Sequence, residues 1–451
     1  MSKATYSKLK IKPDFILLIA ILSMIFLFTL SSADAQTDFY GVIRDSGGQV
    51  PQLNIAIGDF KVESGFFAND EKAKASELKS IIEKGLDFSL YFNVVRPDSS
   101  VMALIGEKDL SYDDWIFLGV EHLVGGELSS DGILYHFNLK ITDIPRGKLI
   151  YRDELSASID SVNQLSYKIV DKVIRILTGE KGISRSKIAF SVARKGSKEL
   201  AICNWDGTDF HYLTANYSLN LFPASSPDGR SLYFTSFYRG NPDLYRLDLP
   251  TMIISPISAR RGINSAAAIS PDGNYIALTL TIDNNAELYL LDIQGRIIRR
   301  LTKSWGIESS PSFSPNGKEI VFSSDRSGSV QLYIIDIDGL NLRRLTYNGN
   351  YNDTPSWSPK GDRIAYASRE RDGRFQIYTI SITGESPTPL TSMGNNQDPC
   401  FSPDGLHICF TSDRNGANEV YVMDFNGGRQ TKTTAVKGAF NPCWIPYYSN
   451  K

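Results

Sequence analysis

Ser226-Pro227-Asp228-Gly229 returns as Ser270-Pro271-Asp272-Gly273, Ser314-Pro315-Asn316-Gly317, Ser358-Pro359-Lys360-Gly361 and Ser402-Pro403-Asp404-Gly405, each step 44 residues long. Such a tetrapeptide is a turn: Pro presets φ, Asp or Asn bonds the local backbone, and Gly accepts a positive φ. Six residues past each Ser stands a strand-forming segment: Leu232-Tyr233-Phe234, Ile276-Ala277-Leu278, Ile320-Val321-Phe322, Ile364-Ala365-Tyr366 and Ile408-Cys409-Phe410. A sixth copy, Ile188-Ala189-Phe190, lies one period earlier. A third segment recurs at Asp243-Leu244-Tyr245, Glu287-Leu288-Tyr289 and their equivalents, and a fourth ends in Leu213-Thr214, Ile257-Ser258, Leu301-Thr302, Leu345-Thr346 and Leu390-Thr391. Asp206-Gly207, Asp338-Gly339 and Asn426-Gly427 separate third from fourth as tight hairpins require. Four short strands per period make a β-propeller blade, and no blade buries both faces alone. The pattern predicts a six-bladed all-β propeller over residues 181–447, with a tail at 448–451.

The copy count also predicts how the ring closes. The sixth Ser-Pro-like element is Trp444-Ile445-Pro446, with no second strand after it, whereas Ile188–Ser191 lacks a first strand before it. Pairing Asn441–Ile445, as innermost strand, with Lys187–Val192 completes one blade from both ends of the repeat. That arrangement removes an open sheet edge.

Ahead of the repeats, residues 49–180 read as a compact α/β domain. Gln52–Phe60 alternates as a strand, and Glu71–Phe88 carries Ala75, Leu78, Ile81, Ile82 and Leu86 at helical spacing. Tyr91–Arg96 returns as a strand. A short helix around Asp113–Gly119 precedes strands at His122–Leu128, Leu134–Asp143 and Leu149–Ser156. Val162–Leu177 closes the domain as a helix stopped by Thr178-Gly179. Earlier still, Lys3, Lys8, Lys10 and Lys12 precede an apolar run from Phe15 to Leu30 and then Ser31-Ser32-Ala33-Asp34-Ala35. These are the parts of a secretory signal over 1–35, with cleavage between Ala35 and Gln36; an uncleaved anchor is the alternative. Cleavage takes away four Lys and two Asp, so the −2 chain becomes −4, an exported protein with no membrane span left.

Composition narrows the function. The 451 residues are 42% apolar and 22% charged, with 48 basic against 50 acidic side chains. A chain without basic excess has no general electrostatic hold on nucleic acid. Four His and four Cys leave little material for metal or nucleophile chemistry. No Gly-x-Ser-x-Gly elbow and no glycine-rich phosphate loop is present. His122, His136, His211 and His407 are scattered and read as structural or surface residues. The cysteines read as small core residues. Cys400 and Cys409 face each other across the Asp404-Gly405 turn, but a bridge between paired strands demands unusual geometry.

One polar feature survives comparison of the copies. Three residues before the Pro that opens the innermost strand stand Asn220, Asn264, Glu308, Asn352 and Asn396, with Ala439 breaking the series. Six-fold arrangement expects them as a ring at one mouth of the axial channel, beside Ser309, Asp353, Asp398 and Asn441. The competing reading is that each Asn caps the incoming loop. Loops on the same face bring Arg239, Arg326, Arg369 and Arg414, a rim suited to partner recognition. The carboxylates and amides also suit a hard cation such as Ca²⁺ in the channel; no other cofactor is expected.

The junction Leu177-Thr178-Gly179-Glu180-Lys181-Gly182-Ile183, the following Arg185-Ser186-Lys187-Ile188-Ala189, and the ending Asn441-Pro442-Cys443-Trp444-Ile445-Pro446-Tyr447 resemble the TolB family of the Tol–Pal envelope system. Ile43-Arg44-Asp45-Ser46-Gly47 is similar to that family's N-terminal segment. The resemblance implies a periplasmic, non-enzymatic adaptor serving envelope integrity and cell division. Its propeller mouth, with the Asn ring and Ser309, would dock the peptidoglycan-associated lipoprotein Pal. Residues 36–48, with Gln36, Asp38, Tyr40, Ile43 and Asp45, would form the segment contacting TolA. Ile263 stands where the family has a polar residue beside Asn264, and Gln36–Tyr40 departs from the usual pattern. Two other classes remain open from the residues: an exported propeller binding another protein or a saccharide, and a propeller hydrolase or lyase, which needs clustered His or carboxylates in the channel.

Overall fold

The computed structural model describes residues 52–62, 68–97 and 110–448. The expected signal sequence with its cleavage site between Ala35 and Gln36, and the segment carrying Gln36, Asp38, Tyr40, Ile43 and Asp45, lie outside the described residues.

The first domain is a sheet backed by helices. Its strands are β1 (Leu53–Ile57), β2 (Lys61–Val62), β3 (Phe92–Val94), β4 (His122–Ser130), β5 (Leu134–Asp143) and β6 (Lys148–Ser158), and its helices are α1 (Ala68–Phe88), α2 (Tyr112–Phe117) and α3 (Val162–Thr178). The sheet runs β3-β1-β4-β5-β6, with β1 parallel to both neighbours and β4-β5-β6 antiparallel. Strands β1 and β3 are shorter than alternation alone suggests; Leu90, in a left-handed conformation, ends the preceding helix abruptly. On α3, Leu165, Ile169 and Val173 are wholly buried at helical spacing against the sheet. Ser161 caps that helix by accepting from the Gln164 amide, and Gly179 ends it with φ 77°. Helices α1 and α3 touch through Gly85, where a Cβ would lie 2.9 Å from Val170. Among the described residues no helix is long and apolar enough to cross a membrane.

The described residues then form six four-stranded antiparallel sheets. Blade 1 begins at Asn220–Ser225, blade 2 at Asn264–Ile269, blade 3 at Glu308–Phe313, blade 4 at Asn352–Trp357 and blade 5 at Asn396–Phe401, each innermost. In blade 6 the innermost strand is the last of the chain, Ala439–Ile445, paired with Lys187–Arg194 through Ala439↔Val192, Cys443↔Ala189 and Trp444↔Ile188. The expected closure is therefore present. Trp444 Nε1 donates to Ser186 Oγ at 2.6 Å, and Ser225 Oγ of blade 1 donates to the Trp444 carbonyl.

The repeated sequence explains the repeated structure. In the first turn the Ser226 Oγ accepts from the Ser231 amide while Asp228 accepts from the Arg230 amide. Gly229, at φ 69°, sits where a Cβ would meet the Pro446 carbonyl at 2.0 Å, so the chain's end passes over the first blade's turn. Between blades lie apolar layers: Tyr233, Leu244, Ile276 and Leu278 join blades 1 and 2, and Ala365, Ile377, Ile408 and Phe410 join blades 4 and 5. The Leu-Thr pairs do more than end the fourth strands, which shrink to two residues in four blades. Each Thr hydroxyl accepts from a third-strand amide, as Thr346 does from Leu332 at 2.9 Å.

The first domain sits on blades 5 and 6. Phe88 is stacked between Trp205 and His407, both rings 4.0 Å away, and His407 Nε2 donates to the Phe88 carbonyl at 2.7 Å. His136, by contrast, lies between Asp131 and Glu154, 3.2 Å from each. Cys400 and Cys409 are register partners and remain free thiols, as do Cys203 and Cys443.

Candidate functional site

The expected ring of polar groups exists, but behind the channel wall. Asn220, Asn264, Glu308, Asn352, Asn396 and Ala439 are all wholly buried. Each polar one brackets its own blade to the blade before it. Asn352 Nδ2 donates to Gln331 Oε1 at 2.9 Å, and Thr346 Oγ1 donates to the same oxygen at 2.8 Å. Asn396, Gln376 and Thr391 repeat this geometry, and Asn220, Glu199 and Thr214 repeat it again. Asn264 donates to the Arg260 carbonyl at 2.6 Å, and Glu308 accepts from Ser304 and from Arg326. Burial pushes the Glu308 carboxyl upward, while Ser304 and Arg326 draw it back. The expectation that these side chains face the mouth is thus corrected. A first-strand residue that hydrogen-bonds the incoming loop must turn inward, and the capping reading describes what they do.

The four rim arginines divide. Arg239 and Arg369 are exposed. Arg326 reaches Glu308 at 2.6 Å and Arg414 reaches Asn396 at 3.1 Å, each also bonding the Ser two residues before it. These two hold ring residues in place.

In four blades the pair of residues after the ring position lines a pit: Leu221 and Phe222, Asp353 and Thr354, Gln397 and Asp398, and Phe440 and Asn441. Every innermost strand bulges there, as the register slips show between Leu221 and Ala224, Asp353 and Ser356, and Gln397 and Cys400. The bulge lets two residues oppose one and re-aims their side chains. A pit of 450 Å³ results, bringing together Asp353, Asp398 and Asn441 with Phe222, Phe440, Tyr351, Thr354 and Lys198. Ser309 is half-buried, outside this pit. Asp398 accepts from Thr411 at 3.0 Å and from the Asn441 amide at 3.3 Å. Burial, with the nearby Asp353 charge, holds its carboxyl above the usual range. Among the described residues, no group of three His, Cys, Asp or Glu is placed to hold a metal ion.

Around the pit the same face exposes large apolar side chains. Tyr217 is 78% exposed, Trp305 73%, Tyr347 71% and Met393 64%, all in the connectors entering the innermost strands. Tyr238 adds to them from a loop between second and third strands; that loop and the incoming connector are joined where the Phe237 amide donates to the Leu219 carbonyl. Sequence reasoning, which places Tyr238 on this rim, missed Tyr217, Trp305, Tyr347 and Met393. A signal existed: Tyr217, Trp305 and Met393 each stand three positions before a ring residue.

Comparison with known proteins agrees with this architecture. Residues 174–372 and 367–447 match the family described as TolB beta propeller domain, and 42–150 match the TolB amino-terminal domain. The Tol-Pal system protein TolB of Desulfosudis oleivorans is 34% identical over 213 residues, covering 46% of this chain and 48% of that one. The TolB homolog of Chlorobium luteolum is 33% identical over 234 residues, covering 51% and 52%. The alignments thus span about half the length of these curated relatives. The crystal structure of TolB from Acinetobacter baumannii shares the fold, with a TM-score of 0.74 at 24% identity over 88% of this chain and 97% of that one. With both of its domains matched in their order, the chain belongs to the TolB family.

Proposed function

We propose that this protein is a non-enzymatic periplasmic adaptor of a Tol–Pal system, whose propeller mouth docks a Pal-like peptidoglycan-associated lipoprotein and whose segment 36–48 contacts a TolA-like inner-membrane protein. In that role it serves outer-membrane integrity and cell division. The observation that carries the docking half is the mouth itself. Tyr217, Trp305, Tyr347 and Met393 stand in water around a 450 Å³ pit, and aromatic, Met and Arg side chains are the usual anchors of protein interfaces. The acidic pair Asp353 and Asp398 supports a further reading of the same pit, that Ca²⁺ offsets their charge when the partner binds.

Capture from envelope extract with the full chain as bait tests this. A lipoprotein with a peptidoglycan-binding domain is the expected prey, lost when Trp305 and Tyr347 are changed to Ala. Capture of a saccharide or another soluble protein alone would replace the reading with a different binding role.

A further inference from the structure

Three of the four cysteines meet where the ring closes. Cys400 lies on the innermost strand of blade 5, Cys409 is its register partner on the second strand, and Cys443 lies on the closing strand of blade 6. Cys400 and Cys443 hold one repeat position, which Ser312 and Ser356 fill in blades 3 and 4, so a blade does not need sulfur there. The Cys400 sulfur points to the next blade. It accepts from the Trp444 amide at 3.4 Å, one residue from Cys443. The Cys409 thiol and then the Cys443 thiol also bond it, and these contacts draw its pKa well below the ordinary thiol value. The first of them belongs to blade 5 itself, so it is in place before the closing strand arrives.

Strand geometry separates the two possible pairings. Counting back from the bond that the Ser402 amide donates to the His407 carbonyl, antiparallel alternation makes Cys400 and Cys409 a hydrogen-bonded pair. Opposite Cβ atoms in such pairs stand about 5.5 Å apart, beyond the roughly 4.5 Å that a disulfide spans. The Cys409 thiol is moreover directed at the Cys400 carbonyl. Cys400 and Cys443 belong to adjacent blades, and no backbone ladder fixes their separation. We propose that Cys400 and Cys443 form a disulfide as the closing strand docks, stapling the borrowed strand of blade 6 to blade 5. A chain end is where a fold most readily frays, and here that end completes the ring.

Cys409 is wholly buried and Cys443 is 7% exposed, so the oxidant acts before the strand is seated. That oxidant is a protein or small-molecule disulfide of the exported compartment; for its supply alone the inference rests on the export reading above. The Cys400 thiolate, its proton given to water, attacks the oxidant's S–S bond, forming a mixed disulfide and releasing one thiolate. The released thiolate takes the Cys443 proton. The Cys443 sulfur then attacks Cys400 Sγ, and the second oxidant sulfur leaves and is protonated from water. Two cysteine thiols lose two electrons and two protons, and the oxidant becomes two thiols.

The full chain, denatured and reduced, is refolded either with oxidised glutathione or with a phosphine reductant, then alkylated, digested and mapped by mass spectrometry. The oxidised product is expected to keep two free thiols, Cys203 and Cys409, with Cys400 and Cys443 peptides linked, and to melt higher than the reduced one by roughly 5 °C. Cys409→Ala is expected to keep the bridge and the redox-dependent shift, and Cys443→Ser to lose both. Cys400→Ser, which installs the residue of blades 3 and 4, repeats the second result should Cys443→Ser fold poorly. Linkage of Cys400 to Cys409, four free thiols in the oxidised product, or a bridge that leaves melting unchanged overturns the inference. A bridge formed with glutathione but absent from chain alkylated in living cells supports the pairing and overturns the export reading instead.

Discussion

Asn352 shows at residue scale why a repeated polar position need not be a recognition position. Its amide is fixed by Gln331 of the preceding blade and by the Asn348 carbonyl, with no exposure to solvent. Changing it to Ala leaves Gln331 with one donor fewer in a buried setting, which costs about 1–3 kcal/mol; chemical denaturation is expected to show that loss. Asp398 behaves in the opposite sense. Its carboxyl titrates above the normal range, so ionisation is a cost that the folded state bears at neutral pH and sheds as pH falls through the folded value. Asp398→Asn is expected to raise the melting temperature at pH 7, with the difference vanishing in acid. His136 is held above its ordinary value chiefly by the Asp131 side chain, and Asp131 is pulled down to about 2 chiefly by the Leu134 and Ile133 amides. The His136 contribution to stability is therefore present below pH about 6.5 and lost as pH rises through the folded value. The Asp131 contribution holds above the usual carboxylate value and is lost progressively as pH falls from there to about 2. A proton NMR titration of the His136 ring, with a midpoint above 6.5, checks the first; a midpoint at or below it contradicts the ion-pair geometry.

At the scale of elements, the closing strand has the most at stake. Trp444 is 3% exposed, packs with Ile188, Phe190 and Cys409, and donates to Ser186. Trp444→Ala is expected to cost roughly 3–5 kcal/mol, and truncation after Phe440 to abolish cooperative melting, read by calorimetry. A truncated chain that melts like the full one would show that blade 6 does not need its borrowed strand. This closure was legible in the sequence because a 44-residue period can be counted, and an incomplete copy at each end has one economical solution. The bulge was not legible. One extra residue between Asp353 and Ser356 turns Asp353 and Thr354 to the channel while Asn352 stays inside, and no spacing in the sequence distinguishes a bulged strand from a regular one. Thus repeat alignment placed the ring along the channel axis but not its depth. Cys400 is another case: it takes the place of Ser312 and Ser356, whose hydroxyls accept from the next blade's Trp357 and Phe401 amides, as its sulfur accepts from Trp444.

For the whole molecule, two domains of one compact unit surround two different kinds of surface. Blades 5 and 6 carry the α/β domain through the Phe88 stack and through Arg429, which donates to the Asp87 carbonyl at 2.9 Å. The mouth lies free of such contacts at Tyr217, Trp305 and Tyr347, each more than 70% exposed. Domain order, blade number and the family were readable before any coordinates because they depend on periodicity and on long shared motifs. The apolar rim is carried by connectors of nearly equal length, but only Tyr217, Trp305 and Met393 share a position in the repeat while Tyr347 stands two residues earlier, so no single repeated position announces it. The most direct test of mouth docking is an amide hydrogen-exchange footprint of the full chain with its captured envelope partner. Protection concentrated at 217–222, 305–310 and 347–354 is the expected result, and protection confined to the α/β domain or to the outer strands of the blades would contradict it.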